Sequence, residues 1–85
     1  MIPEQDIVLA ALVKQWDRTV PIVMVGSRKD SGLSQRQLDE RCGWTRNTVA
    51  NLESGRRRIT LTDFLKIAWV LKISPLTLLE RILRW

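Results

Sequence analysis

The 85-residue sequence contains no histidine and a single cysteine, Cys42. An internal disulfide bond is therefore impossible, and a zinc site built from cysteine and histidine ligands is not expected. Without histidine the chain has no Ser-His or Cys-His nucleophile pair, so we expect no enzymatic activity, no metal and no cofactor. A lone cysteine fits a reducing, intracellular environment, and Cys42 is expected to pack as a small apolar side chain.

Long apolar runs are also missing. The longest, Ile7–Val13 and Pro21–Val25, are far shorter than a bilayer span requires. The N-terminus begins with acidic rather than basic residues, which argues against a secretory signal. We therefore expect no membrane association, a cytoplasmic location and one small domain.

Basic residues are in excess, 14 to 9, and most of the excess lies in the middle of the chain. The net charge is −1 over residues 1–18, +4 over residues 19–58 and +2 over residues 59–85. A basic, arginine-rich domain usually meets phosphate groups or an anionic membrane surface. Charge alone does not separate these two partners, so the choice depends on the motifs.

The helical spacing of apolar residues predicts six short helices and no strand. The first covers Ile2–Trp16, and after a break at Asp17–Thr19 the second runs from Thr19 to about Asp30, with Pro21 in its first turn. Several β-branched residues around Pro21 would also suit a strand.

The later helices have clear start and stop signals. Ser34 and Gln37 match a capping box that opens the third helix at Gln35, and Gly43 ends this helix. The other predicted boundaries are a Thr45 cap for a helix over Arg46–Glu53 that Gly55 ends, a Thr60 cap with Asp63 in the first turn, and Ser74-Pro75 before the last helix.

Two short helices joined by a glycine-containing turn, over Gln35–Ser54, fit a helix-turn-helix. The positions that must pack inward are apolar, namely Leu38, Cys42, Trp44, Val49 and Leu52. The outward positions of the second helix carry Arg46, Asn47 and Asn51. Arginine and asparagine have the bidentate hydrogen-bonding geometry that suits guanine and adenine edges.

The pattern resembles the lambda-repressor/Cro/Xre family. The matching segments are Gly32-Leu33-Ser34-Gln35, Gly43, Leu52-Glu53-Ser54-Gly55, Leu65-Lys66-Ile67-Ala68 and Leu71. The resemblance covers roughly residues 19–79 and implies an all-α fold, a compact bundle of five to six short helices containing a helix-turn-helix. We accordingly divide the chain into an N-terminal helical extension, residues 1–18, and a DNA-binding domain with a C-terminal helix, residues 19–85.

The resemblance also implies residue roles. The positions that match DNA base readers are Arg46, Asn47, Thr48 and Asn51. The positions that match phosphate contacts are Gln35, Arg36, Thr45, Ser54, Arg56, Arg57 and Arg58. Arg28 and Glu53 match a partly buried ion pair. The alternatives are a solvated helix face for the base readers, an ordinary exposed loop for the three arginines, and two separate surface charges for Arg28 and Glu53.

One position departs from the family pattern. The fifth residue of the motif is normally small, because the two helices touch there, but this chain has Asp39. A carboxylate at that contact needs a partner or a place at the rim. The crossing of the two helices therefore depends on how this carboxylate is accommodated.

The sequence predicts a sequence-specific transcriptional regulator, with a dimeric repressor that reads palindromic half-sites of double-stranded DNA in the major groove as the leading interpretation. The resemblance also implies a prokaryotic or phage-encoded protein that is associated with the nucleoid. A restriction-modification controller or an antitoxin-type autoregulator is an alternative of the same class. A protein-interaction adaptor, using the N-terminal helix and the C-terminal apolar segment, is an alternative of another class. The candidate residues for a homodimer contact are Leu76, Leu79, Ile82, Leu83 and Trp85.

Overall fold

The computed structural model describes residues 4–85, with side chains from Asp6 onward, and this part of the chain contains helices and no strand. The helices are α1 (Glu4–Asp30), α2 (Gln35–Cys42), α3 (Thr48–Glu53), α4 (Leu61–Leu71) and α5 (Pro75–Leu83). The predicted all-α bundle with a helix-turn-helix is confirmed. The predicted start of the first helix, at Ile2 and Pro3, lies outside the described residues.

Helix α1 is continuous from Glu4 to Asp30, so the predicted break at Asp17–Thr19 is wrong. Pro21 lies inside the helix, where it removes one backbone hydrogen bond at a cost of about 3 kcal/mol. The burial of Val20 and Val23, each 5% exposed, supplies packing energy on both sides of Pro21, which outweighs this cost. None of the described helices, α1 included, is long and apolar enough to cross a membrane.

One core joins all five helices. Leu38 of α2, Val49 of α3, Ile67 and Ala68 of α4, and Leu78 of α5 are each at most 2% exposed. Cys42 packs in the same cluster, and burial raises the pKa of its thiol to about 11. The thiol therefore stays protonated at neutral pH, as a packing residue should.

The predicted caps of α2 and α4 are confirmed. Ser34 Oγ accepts the Gln37 N–H at 3.0 Å, and Gln37 Oε1 accepts the Ser34 N–H at 2.8 Å. Thr60 and Asp63 form the same reciprocal arrangement at the start of α4. These capping bonds fix the residues at which α2 and α4 begin. They therefore fix both ends of the part of the chain that contains α2, the turn, α3 and the following loop.

We expect Leu78→Ala to lower the free energy of unfolding by about 2–5 kcal/mol, because it leaves a cavity at a side chain that is 0% exposed. Thr77→Ala is the control, since Thr77 lies on the same helix and is exposed. Urea unfolding of the two variants checks the prediction. Equal losses of stability in both variants would contradict the placement of α5.

Candidate nucleic-acid interface

A turn over residues 43–47 joins α2 to α3. Gly43 has φ 72°, the left-handed conformation that the sequence analysis expected at this point. Asn47 also has a positive φ, 69°, so a helix cannot run through it, and the prediction that α3 begins at Arg46 is wrong. Thr45 instead accepts a hydrogen bond from the Thr48 hydroxyl at 2.9 Å through its carbonyl oxygen, which closes the turn.

Asp39 lies between α2 and α3, where the two helices touch. Asp39 is 5% exposed, and its Oδ1 accepts a hydrogen bond from the backbone N–H of Val49 at 2.8 Å. Asn47, the residue directly before α3, makes no side-chain capping hydrogen bond. Asp39 therefore does across the helix pair what a capping residue does within one helix, and its negative charge suits the positive end of α3.

At the other end of α3, Glu53 binds residues from both neighbouring helices. Arg28 donates from Nε to Glu53 Oε2 at 2.6 Å and from Nη2 to Glu53 Oε1 at 3.0 Å. Gln35 Nε2 donates to the same Oε1 at 2.9 Å, and Arg28 Nη1 donates to the Leu33 carbonyl at 2.8 Å. These contacts join α1, α2 and α3 at one buried carboxylate, so Arg28 and Glu53 are a pair and not separate surface charges.

The residues expected to read bases do not all reach the surface. Arg46 and Asn47 are exposed, and Asn51, one turn further along α3, is half-buried. Thr48 is 7% exposed, and its hydroxyl bonds back to the turn, so the expectation of a base contact from Thr48 does not fit this structure. The outward surface of the motif therefore consists of Arg46, Asn47 and Asn51.

The residues expected to contact phosphates are all exposed, and they lie at the start of α2, in the turn and after α3. Some already have partners within the described chain. Gln35 bonds to Glu53, Arg36 pairs with Glu40 at 3.3 Å, and Ser54 Oγ donates to the Asn51 carbonyl. Thr45 completes this group at the surface.

Two carboxylates hold the arginine loop, and neither contact was predicted from the sequence. Arg57 Nη2 lies 3.2 Å from each oxygen of Asp63, and Arg58 Nη2 lies 2.7 Å from Asp17 Oδ2. Asp63 was predicted only as a residue in the first turn of α4. No sequence signal marked Asp17, which lies 41 positions from Arg58.

Asp63 is buried, which would raise its pKa, but hydrogen bonds from the backbone and hydroxyl of Thr60 and from Arg57 lower it below 3.8 on balance. Its carboxylate therefore stays charged at neutral pH. It fixes the start of α4 and one arginine of the loop together.

Comparison with known families matches a helix-turn-helix model to residues 27–78, more than half of the chain. The chain belongs to the Xre and lambda-repressor type of helix-turn-helix proteins. The match includes α2, the turn, α3, the arginine loop, α4 and the first turn of α5. Members of this family are DNA-binding transcription regulators. A search of curated proteins finds no match.

We expect Asp39→Ala to destabilise the fold by about 1–3 kcal/mol, because it leaves the buried N–H of Val49 without an acceptor. Asp39→Asn keeps an oxygen at this position and should lose less. Glu40→Ala is the control on the same helix, since the Glu40 side chain is 66% exposed. Chemical denaturation compares the three variants, and an unaffected Asp39→Ala variant would contradict the capping role.

The lowered pKa of Asp63 predicts a loss of stability in acid. A carboxyl whose pKa is lower in the folded state stabilises the fold above its unfolded pKa, and this contribution disappears as the pH falls through the folded value. Unfolding measured between neutral pH and about pH 2 should show this loss below about pH 4. An Asp63→Asn variant should be less stable than the wild type at neutral pH, and its free energy of unfolding should fall less in acid. Equal pH profiles of stability for the wild type and the variant would contradict the lowered pKa of Asp63.

Proposed function

We propose that this protein is a sequence-specific transcriptional repressor that binds palindromic DNA as a homodimer. The observation that carries the proposal is the surface of the helix-turn-helix, with Arg46 and Asn47 in the turn before α3, Asn51 on α3, and the basic loop Arg56–Arg58 beside them. In this proposal Arg46, Asn47 and Asn51 face base edges in the major groove, and the loop lies along the phosphate backbone.

The placement of charge supports this assignment of roles. Arg56 makes no ion pair within residues 4–85, so it can meet a phosphate without first breaking a contact. Arg57 is held by Asp63, but its side chain is still 45% exposed. Gln35 is fixed by Glu53 at the start of α2, where backbone N–H groups favour an anion.

The homodimer part of the proposal rests on apolar side chains that the monomer leaves exposed. Leu76, Leu83 and Trp85 are between 64% and 72% exposed, and Leu79 is half-buried. Ile82 is only 2% exposed and belongs to the monomer core, so it is withdrawn as a dimer residue. Two copies would double the number of base contacts and match half-sites roughly 34 Å apart.

A protein-interaction adaptor is the second candidate, and the exposed apolar side chains of α1 support it. Fluorescence anisotropy with a random duplex at two salt concentrations separates the candidates. DNA binding through phosphates predicts an affinity that falls steeply with salt, whereas an adaptor shows no binding even at low salt. The latter result would refute the proposed function.

Substitutions can test which residues read bases. We expect Arg46→Ala with Asn51→Ala to remove the preference for a selected site over a random duplex, at about 1–3 kcal/mol for each contact. Asn47 is left unchanged because its positive φ would strain an alanine. The affinities for the selected site and for the random duplex are measured on the wild type and on the double variant. A retained preference for the selected site would show that α3 is not the reading helix.

Arg56→Ala is the matched control for the phosphate role. Because Arg56 has no ion pair within the described chain, its loss should leave the fold unchanged. Affinity for all sequences should fall about equally, and the salt slope should decrease by about one unit. A change in sequence preference would instead make Arg56 a base reader.

A further inference from the structure

The N-terminal part of α1 is apolar and uncovered. We call residues 6–16 the arm. Five of its side chains, Ile7, Val8, Leu9, Leu12 and Val13, are between 44% and 59% exposed. Further along the same helix, Val20, Val23 and Met24 are at most 5% exposed.

The arm continues the buried stripe of α1. Leu9, Leu12, Val13 and Trp16 follow one another at the spacing of a single helical face, and the same face continues to Val20 and Val23. Of these four, Trp16 alone packs partly against the core. Leu9, Leu12 and Val13 are at least 44% exposed, and an apolar stripe on one face of a helix normally packs against another element.

Charge borders this face along one edge. At 3.6 residues per turn Asp6 and Asp17 fall on the same side of the helix as Val13, whereas Lys14 and Arg18 project from the other side. The apolar centre of the face fits an apolar surface, and the two carboxylates at its edge disfavour a nucleic acid. The covering element is therefore itself apolar.

The molecule has an apolar groove beside the arm. Leu12, Trp16 and Thr19 of α1 line it together with Ile82 and Leu83 of α5, and its volume is about 310 Å³. A second groove, of about 510 Å³, lies against the same helix and is lined in part by Ala11, Gln15 and Trp85. The apolar arm and an apolar groove therefore lie side by side on one chain.

We propose that the arm binds a second copy of this chain, packing antiparallel against the second copy's arm and beside its groove. A two-fold axis makes such a contact self-complementary, because each copy offers the same helix and the same groove. Leu83 and Trp85, both candidate dimer residues, border these grooves, so the arm extends the contact surface already assigned to α5. This inference rests on the proposed function for its biological role, since palindromic reading needs two copies.

The available area fits a stable dimer. Covering an exposed apolar side chain removes on the order of 100 Å² from water. The exposed apolar residues of the contact surface are Val8, Leu9, Leu12, Val13, Leu83 and Trp85. With the flanking residues these give roughly 600–800 Å² per copy, close to the ~800 Å² of a standard interface.

A competing surface lies on α4. Leu61, Leu65 and Trp69 are 73%, 47% and 85% exposed and recur every fourth residue. However, the opposite face of α4 packs against the core through Phe64 and Ile67, so α4 is held without a partner. Within residues 4–85 the arm is supported mainly through Trp16 at its end, which favours the arm as the contact and makes α4 the matched control.

Sedimentation equilibrium over a range of protein concentrations tests the proposal. We expect the full chain to form a dimer. Leu9→Glu with Leu12→Glu should raise the dissociation constant by more than about a hundredfold, because four charges would enter the interface of each dimer. Leu65→Glu with Trp69→Glu should leave the dimer unchanged.

Leu9→Ala with Leu12→Ala is the second test, since alanine preserves helix propensity and removes only apolar area. It should weaken the dimer by more than about tenfold, and circular dichroism should show an intact folded domain. A monomeric wild type, or a dimer that only the α4 variants dissociate, would overturn the proposal.

The same variants separate this inference from the proposed function. A wild-type monomer that binds duplex with a steep salt dependence would refute the arm contact and leave DNA binding intact. A dimer that dissociates on substitution of the arm, but binds no duplex at low salt, would refute the proposed function and support the arm contact.

Discussion

Helix α3 depends on two carboxylates that lie at its ends. It has six residues, fewer than two turns, and a helix of this length is not stable in water by itself. Asp39 of α2 accepts the N–H of Val49 near its start, and Glu53 near its end accepts hydrogen bonds from Arg28 of α1 and Gln35 of α2. Both carboxylates are buried and bonded, so the position of the candidate reading surface is fixed by its neighbours before any ligand arrives.

Carboxylates also hold the arginine loop that follows α3, but less firmly. Asp63 and Asp17 hold Arg57 and Arg58, and the Arg58 side chain is 78% exposed. An exposed pair contributes little to stability and is easily exchanged, whereas a contact from Arg57 Nη2 to both oxygens of a buried carboxylate is better defined. The loop therefore combines a fixed arginine, Arg57, with arginines that can turn towards a phosphate.

Local signals in the sequence were sufficient for much of this structure. The capping boxes at Ser34 and Thr60, the turn at Gly43 and the Arg28–Glu53 pairing follow from residues within a few positions or from the family pattern. The continuity of α1 through Pro21 did not, because it depends on burial against distant helices, which overrides local propensity. Asp39 was identified as anomalous, but its acceptor role depends on the position of Val49 after folding, and the contact from Asp17 to Arg58 has no local signal at all.

The arm and the arginine loop meet at Asp17. This residue directly follows the arm and accepts a hydrogen bond from Arg58, and a groove of about 340 Å³ lined by Val13, Trp16 and the loop separates the two segments. A contact that orders the arm would also order the residues that hold Arg58. If two copies associate through their arms, the second half-site is bound as an intramolecular event, so modest base contacts on each α3 multiply into useful specificity. In this proposal a short α3 and the turn before it offer three polar side chains to the bases, which gives little specificity in one copy, and the arm allows two copies to combine theirs.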